Sequence, residues 1–125
     1  MKKEYIDFLK DIELKFQQEH EKSFPSLVNR IPLVVFTEGR KFAHVKIVDG
    51  HRDASGRIVV NNPPTGGSSH AYIEMATGGL IKSTGSQPVK RANGQLGIMF
   101  DLSTAAGRKK AYEAADVYGS YLYVK

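Results

Sequence analysis

The hydrophobic pattern changes its period near residue 23, and this change constrains the fold more than any other feature of the sequence. Between residues 2 and 21, large apolar side chains recur three or four positions apart, at Tyr5, Leu9, Ile12 and Phe16. That spacing places them on one face of an α-helix, with Lys and Glu on the other. Pro25 cannot continue a helix. The pattern therefore predicts an amphipathic helix over residues 1–23 that covers a sheet or a partner.

Beyond residue 30 the pattern is typical of short β-strands rich in β-branched and aromatic residues. The paired glycines of Thr77-Gly78-Gly79 predict a tight hairpin turn. Toward the end of the chain, alanine-rich residues predict a second helix over 102–116, capped by Asp101 or Ser103. We predict one α+β domain over residues 1–125, in which the N-terminal helix packs on a mainly antiparallel sheet. The predicted parts are helix 1–23, a β-rich body over 31–100 with strands at 33–36, 41–48, 57–60, 70–76, 80–83 and 95–100, helix 102–116, and a closing strand over 118–124.

The net charge of +5 is unevenly distributed along the chain. Residues 1–30 contain six Lys or Arg and six Asp or Glu, so this segment is neutral. Residues 31–125 contain the other twelve basic and seven acidic side chains, so the whole excess lies in the body. A positive body attracts phosphates or acidic proteins. The alternative is that a moderate positive charge only keeps the protein soluble.

Cysteine is absent from the sequence, which excludes disulfides, thiolate zinc sites and cysteine nucleophiles. This composition fits a reducing compartment. No apolar run reaches the roughly 18 residues that a membrane helix needs, and Glu4 and Asp7 interrupt the N-terminus where a signal peptide would be uncharged. We therefore expect a cytoplasmic protein without a membrane partner.

The sequence offers little support for catalysis or for a cofactor. The candidate for a metal site is Asp49-x-His51-x-Asp53, but such polar loop residues are more typical of a solvated turn. The Gly-x-Ser-x-Gly motif that carries the nucleophile of many serine hydrolases does not occur. The carboxylates of the body are scattered along the chain, so no pair for acid–base catalysis is evident. The glycine loop at residues 64–69 lacks the lysine of a P-loop. We expect a protein that is not an enzyme and that carries no metal or cofactor.

The basic side chains of the body are more informative, because cations near amides and aromatic rings are what nucleotide binding requires. Lys90 and Arg91 lie beside Asn93 in a proline-containing loop, Arg57 opens a predicted strand, and Arg108 lies on the second predicted helix. Several tyrosines, including Tyr72, could supply stacking surfaces. At least half of these residues would equally suit a solvated surface or the core.

Four short segments together resemble the first family of Thoeris anti-defence proteins of phages, which sequester a nucleotide immune signal. They are residues 69–74 (SHAYIE), 77–82 (TGGLIK), 88–93 (PVKRAN) and 118–122 (YGSYL). The resemblance covers roughly residues 40–124. It departs from the family pattern at residues 83–87 (STGSQ), which lack an aromatic residue, and between Arg91 and Asn93, where a tyrosine is usual.

The resemblance implies a protein that binds glycocyclic ADP-ribose, the product of a bacterial TIR-domain enzyme, without cleaving it. It also implies homo-oligomers, as dimers or assemblies of dimers, with the ligand held between subunits, and in some members separate sites for cyclic oligonucleotides. By motif position, Tyr72 would stack on adenine, Asn93 would hydrogen-bond the ligand and Asp116 would accept from ribose hydroxyls. Arg57 and Arg91 would neutralise the diphosphate, with Lys90 and Arg108 as further basic contacts.

Two other functions remain open on the sequence. A basic phage protein could use the same surface to bind DNA or RNA, with an affinity that falls steeply with salt. Alternatively, the basic surface could block an acidic host enzyme by direct protein–protein contact.

Overall fold

The computed structural model describes residues 1–123 and confirms the α+β class. An N-terminal helix, a six-stranded antiparallel sheet and a short second helix are all present. In chain order the elements are α1 (Lys3–Ser23), β1 (Ile31–Glu38), β2 (Phe42–Arg52), β3 (Ile58–Val60), β4 (Gly66–Glu74), β5 (Gly79–Lys82), β6 (Ile98–Asp101), α2 (Ala105–Ala114) and a 3-10 turn (Ser120–Leu122).

Helix α1 covers one face of the sheet with the apolar stripe that its periodicity predicts. Its buried side chains are Tyr5, Phe8, Leu9, Ile12 and Phe16. Full burial of five such side chains contributes on the order of 10 kcal/mol before the entropy of ordering the chain is subtracted. Within residues 1–123, no helix combines the length and the apolar composition needed to cross a bilayer.

The sheet is built around β2, which pairs with β1 on one side and with β4 on the other. The strand order is β1-β2-β4-β5-β6, and β3 pairs with the last residues of β2. Successive side chains of a strand point to opposite faces. The face toward the helices carries Ala43, Val45, Ala71, Ile73 and Leu80, which belong to the main core. We call the opposite face, which carries His44 and Tyr72, the distal face.

Two side chains of α1 hydrogen-bond to the outer edge of β1. The carboxylate of Glu13 accepts a hydrogen bond of 2.7 Å from the backbone N–H of Val34, and the amide of Gln17 donates one of 3.1 Å to the carbonyl of Pro32. An edge strand normally exposes these groups to strand pairing with other chains. Helix α1 therefore both covers the core and occupies part of this edge.

The second helix is shorter than the predicted 102–116 and is capped by a different residue. Thr104 is the N-cap, and its hydroxyl accepts from the backbone N–H of Gly107. Asp101 instead accepts from the backbone and hydroxyl of Ser103, which forms a separate turn before the helix. The helix begins at Ala105 because the chain between β6 and α2 is used for that turn.

The predicted closing strand over residues 118–124 is wrong as far as residue 123, and Val124 lies outside the described residues. Gly119 has a left-handed backbone with φ of 75°, and Ser120–Leu122 form a 3-10 turn. The carboxylate of Asp116 accepts from the backbone N–H groups of Tyr118, Ser120 and Tyr121. These bonds draw the backbone into a turn that inserts Leu122 into the core.

Candidate functional site

Tyr72 lies in the middle of the distal face and is stacked on His44 of the neighbouring strand. The two ring centroids are 4.4 Å apart and the ring planes differ by 4°. The two residues are directly opposite in the β2–β4 register, which brings their side chains to the same face. Phe42 packs edge-on against Tyr72, with centroids 6.1 Å apart. Only 8% of Tyr72 is exposed, so most of the ring is already in contact with the protein.

A hydrogen-bonded row of polar side chains continues from this stack across the distal face. His44 Nε2 lies 2.5 Å from Ser69 Oγ, and Ser69 Oγ hydrogen-bonds to Ser83 Oγ. Ser83 Oγ also accepts from the backbone N–H of Gly85. Burial, and secondarily the charge of Lys46, hold the pKa of His44 below its ordinary value. The imidazole is therefore neutral at pH 7.

The contact between His44 and Ser69 brings a base and a hydroxyl within hydrogen-bond distance, as in nucleophilic catalysis. Within residues 1–123, no carboxylate hydrogen-bonds to His44 to complete a triad. Among the same residues, no group of three His, Asp or Glu side chains is placed to hold a metal ion. The side chains of the Asp49-x-His51-x-Asp53 segment have separate partners instead. His51 Nδ1 contacts Asn61 Oδ1, and Asp53 accepts from Ser55 in its own turn.

Lys90, Arg91 and Asn93 lie together in the loop between β5 and β6. Asn93 Oδ1 accepts from the backbone N–H of Gln95, so this side chain shapes the loop. Arg91 Nη2 donates to the carbonyl of Ile98 at 3.1 Å, which places the guanidinium beside the start of β6. Lys90 is exposed and pairs with Leu96 across the loop through an isolated bridge.

A cross-strand row connects this loop to Tyr72. Tyr72 lies opposite Ile81 of β5, and Ile81 lies opposite Ile98 of β6. Because neighbouring strands are about 4.8 Å apart, the backbones of Tyr72 and Ile98 are about 10 Å apart. The structure therefore brings the Arg91 loop and Tyr72 to the same part of the sheet. We call Tyr72, Ile81, Ile98 and Arg91 the Tyr72–Arg91 row.

The other three candidates lie elsewhere. Arg57 is exposed at the turn between β2 and β3, where its backbone N–H donates to Asp53. His44, opposite Tyr72, and Arg52, near this turn, are eight residues apart on β2, or roughly 27 Å along the strand. Arg57 and Tyr72 are therefore too far apart to contact one small ligand within a single chain.

Asp116 and Arg108 lie in the C-terminal segment and make contacts within the protein. Burial opposes the ionisation of Asp116, but the hydrogen bonds from Ser120 and from the turn outweigh it, so its pKa lies below the ordinary value. Arg108 Nη1 donates to the carbonyl of Leu102 at 2.8 Å. Both side chains stabilise the chain after β6, which accounts for their presence without a ligand.

Sequence reasoning did not identify His44, Ser69 and Ser83 as members of the site. The alternation of Phe42, His44 and Lys46 predicts that they share one face of a strand. The contact of His44 with Ser69 depends on the β2–β4 register, which also contains shifts near Lys46. Such long-range pairing has no local signal in the sequence.

Comparison with known proteins adds no assignment: no family model, no curated protein and no solved structure matches this chain.

Proposed function

We propose that this protein binds a cyclic ADP-ribose-type nucleotide such as glycocyclic ADP-ribose and holds it without cleaving it. In the cytoplasm of a phage-infected bacterium, such capture would withhold the signal from its effector and block Thoeris-like immunity. The proposal combines the motif resemblance of residues 69–122 with the placement of the candidate residues in the fold.

The observation that carries the proposal is the Tyr72–Arg91 row. It brings the backbone of Tyr72 to within about 10 Å of that of Ile98, and the carbonyl of Ile98 accepts a hydrogen bond from the guanidinium of Arg91. A nucleotide presents a planar base and a charged diphosphate, which an aromatic ring and an arginine recognise by stacking and by paired hydrogen bonds. The positive charge of the body adds long-range attraction for the same ligand.

The stack with His44 determines how a base could approach. Since His44 covers one face of the Tyr72 ring, the contact surface in this proposal is the exposed part of the His44–Tyr72 pair. A neutral imidazole suits this role, because it stacks on a base and retains a hydrogen-bonding nitrogen. His44 is therefore a further contact residue in the proposed site.

The contact between His44 and Ser69 could support cleavage of the ligand, so the proposal of binding without cleavage has to be tested. A hydroxyl that donates to a neutral imidazole can attack a phosphate or an ester when a third group orients the imidazole. Any binding experiment should therefore also analyse the ligand after contact with the protein.

The direct test is isothermal titration calorimetry with glycocyclic ADP-ribose at low and high salt. We expect near-stoichiometric binding that depends weakly on salt, and at least tenfold weaker binding for Arg91→Ala, equivalent to about 1.4 kcal/mol. Arg40→Ala, which removes an exposed arginine from the turn between β1 and β2, is the matched control and should bind normally.

Two results would count against the proposal. If titration with cyclic ADP-ribose-type nucleotides gives no heat of binding, this class of ligand is excluded. Binding to DNA or RNA whose affinity falls steeply with salt would indicate the nucleic-acid-binding alternative, since each neutralised phosphate releases counterions.

A further inference from the structure

The loop between β5 and β6 contains the only asparagine of the chain that is followed directly by glycine, at Asn93-Gly94. The other three, Asn29, Asn61 and Asn62, precede arginine, asparagine and proline. An asparagine side chain is lost chemically when the next backbone nitrogen attacks its amide carbon, and a side chain on that next residue hinders the attack. Glycine has no Cβ to hinder it. Asn93 is therefore the asparagine of this chain that is most open to such a reaction.

The surroundings of Asn93 leave it accessible to water and hydroxide. Residues 90–95 are all exposed, and exposed loop tips are where tolerance to chemical change concentrates in a domain. Gly94 has a φ of 83°, and apart from its chain neighbours no atom of residues 1–123 lies within 4 Å of where its Cβ would be. No packed group therefore shields this side of the turn.

The side chain of Asn93 is folded back along the backbone that would attack it. Its Oδ1 accepts a hydrogen bond of 3.0 Å from the N–H of Gln95, which holds the amide beside the Gly94 peptide and draws electron density from its carbon. The N–H of Gly94 donates to the carbonyl of Arg91 at 2.9 Å, and this bond must open before the nitrogen can attack. An exposed turn held by a few hydrogen bonds opens at a small free-energy cost.

We infer that Asn93 is a site of spontaneous deamidation. The nitrogen of Gly94 loses its proton to hydroxide and forms a bond to Cγ of Asn93. The bond from Cγ to Nδ2 then breaks, and Nδ2 takes up a proton from water and leaves as ammonia. Water opens the resulting five-membered succinimide at either carbonyl, which gives aspartate or isoaspartate. The sum is one amide and one water converted into one carboxylic acid and one ammonia, without an oxidant, a reductant or an enzyme.

The reaction changes the charge of the loop that the proposed function assigns to the ligand. It replaces a neutral amide with a carboxylate two residues from Arg91 and three from Lys90, and it removes one of the five net positive charges. A negative group beside these cations opposes the binding of a diphosphate. Isoaspartate also adds a methylene to the backbone of the turn. Loss of nucleotide binding on deamidation rests on the proposed function, whereas the deamidation itself does not.

Mass spectrometry of tryptic fragments after incubation of the whole protein at pH 8.5 and at pH 6 tests this inference, with an unincubated sample to correct for change during digestion. We expect Asn93 to form both aspartate and isoaspartate, at least tenfold faster than Asn29 changes. The rate should be higher at pH 8.5, where more of the attacking nitrogen is deprotonated.

Gly94→Ala should slow the conversion of Asn93 at least tenfold, because the added Cβ hinders the attacking nitrogen. Gly85→Ala is the matched control. Gly85 also has a positive φ, of 111°, and open space around its Cβ position, so this substitution strains the backbone of another loop and should leave the conversion of Asn93 at the wild-type rate.

The inference is overturned if Asn93 stays an amide in the folded protein while a free peptide of residues 88–97 converts, since the turn then protects it. Equal rates for Asn93 and Asn29 would overturn it as well. So would aspartate without isoaspartate, because direct hydrolysis by water yields no isoaspartate. These measurements on the wild type decide the outcome even if Gly94→Ala fails to fold.

Calorimetry of Asn93→Asp with glycocyclic ADP-ribose separates the two proposals. We expect this variant to bind at least tenfold more weakly than the wild type, and Asn29→Asp, which adds the same charge to another exposed loop, to bind normally. Wild-type affinity of Asn93→Asp would contradict the predicted loss of binding. If freshly purified protein deamidates at Asn93 but binds no nucleotide, this inference stands and only the proposed function is refuted.

Discussion

The rings of His44 and Tyr72 are stacked nearly parallel, 4.4 Å apart, although the two residues lie 28 positions apart in the chain. The pair joins β2 to β4 on the distal face, where an aromatic contact contributes about 0.5–1.5 kcal/mol beyond its buried area. It also fixes the orientation of the tyrosine that the motif resemblance assigns to the adenine ring.

The hydroxyl of Tyr72 should be dispensable. Among residues 1–123 no hydrogen bond to it is present, whereas its ring contacts both His44 and Phe42. We expect Tyr72→Phe to change the free energy of unfolding by less than about 0.5 kcal/mol and to leave the nucleotide affinity within about twofold. Urea denaturation and calorimetry measure the two quantities. A tenfold loss of affinity would show that the hydroxyl, and not the ring, contacts the ligand.

His44→Ala should be more harmful than Tyr72→Phe. It removes the stack and deprives Ser69 of a hydrogen-bond partner, so we expect the free energy of unfolding to fall by about 1–3 kcal/mol. If the exposed part of the pair contacts the base, nucleotide affinity should also fall at least tenfold. Unchanged affinity in the folded variant would exclude His44 from the binding site.

Asp116→Asn should reduce stability while leaving binding intact. The carboxylate accepts three backbone hydrogen bonds and one from the hydroxyl of Ser120, and an amide cannot accept at both oxygen positions. We expect a loss of about 1–3 kcal/mol in urea denaturation. Asp101→Asn, which affects only the contacts with Ser103, is the control and should cost less. If Asp116 contacts ribose instead, the folded variant will bind the nucleotide at least tenfold more weakly.

The protein should lose stability as the pH falls from 6.5 toward 4. Burial lowers the pKa of His70 from 6.5 to about 4, an effect that Asp116 opposes and Lys82 adds to. Since the unfolded chain takes up the proton first, His70 contributes its full stability above pH 6.5 and loses it as the pH falls through 4. The difference amounts to about 3 kcal/mol.

Urea denaturation at pH 7.5, 5.5 and 4.5 measures this dependence. His70→Gln should flatten the profile between pH 6.5 and 4, because glutamine does not titrate there. Tyr121→Phe removes the hydrogen-bond partner of His70 but keeps the imidazole, so this control should be less stable and retain the slope. Equal slopes in the wild type and His70→Gln would assign the pH dependence to other groups.

Glu13 should show the opposite pH dependence. Burial raises its pKa above 4.5, although the hydrogen bond from Val34 and the charge of Lys10 oppose the shift. A raised pKa means that this carboxyl contributes its full stability below the ordinary value and loses it as the pH rises through the raised one. Glu13→Gln keeps an oxygen that can accept from Val34, so we expect it to be as stable as the wild type at pH 7, or more so.

Gln17→Glu provides the converse experiment on the same edge of β1. It replaces the amide that donates to the carbonyl of Pro32 with a second acceptor, so we expect the free energy of unfolding to fall by about 1–3 kcal/mol at pH 7.

For Glu13→Gln, destabilisation by more than about 1 kcal/mol would contradict the prediction, because it would show that the negative charge of Glu13 is itself needed at this edge.

The elements with a strong local pattern were predictable from the sequence. Helix α1 was expected to end near residue 23 and ends at Ser23, because its apolar stripe and Pro25 are both visible locally. The hairpin of β4 and β5 was also expected from its paired glycines. In the structure, Gly78 adopts the positive φ of 82° that the turn requires. The closing strand was predicted wrongly. The carboxylate of Asp116 accepts from the N–H groups of the following residues and holds them in a turn, and no hydrophobic periodicity in the sequence indicates these bonds.

The candidate site was only partly predictable. The motif resemblance assigns Tyr72 and Arg91 to one ligand, and the two lie in one region of the fold because β4, β5 and β6 are consecutive neighbours in the sheet. The same reasoning could not show that Arg57 lies far from Tyr72, because that distance follows from the length of β2. It also could not identify His44, whose partner is set by long-range strand pairing. That Arg57 neutralises the diphosphate of a ligand held between subunits stays a prediction of the resemblance.

Capture without cleavage is tested most directly by mixing the protein with an equal amount of glycocyclic ADP-ribose, removing free ligand by filtration, heat-denaturing the protein and identifying what it releases by mass spectrometry. We expect nearly all the ligand to be retained before heating and to be recovered intact afterwards. Arg91→Ala should retain much less, and Arg40→Ala as much as the wild type. Recovery of linear ADP-ribose would show that the protein is an enzyme, and passage of the ligand through the filter would contradict binding altogether.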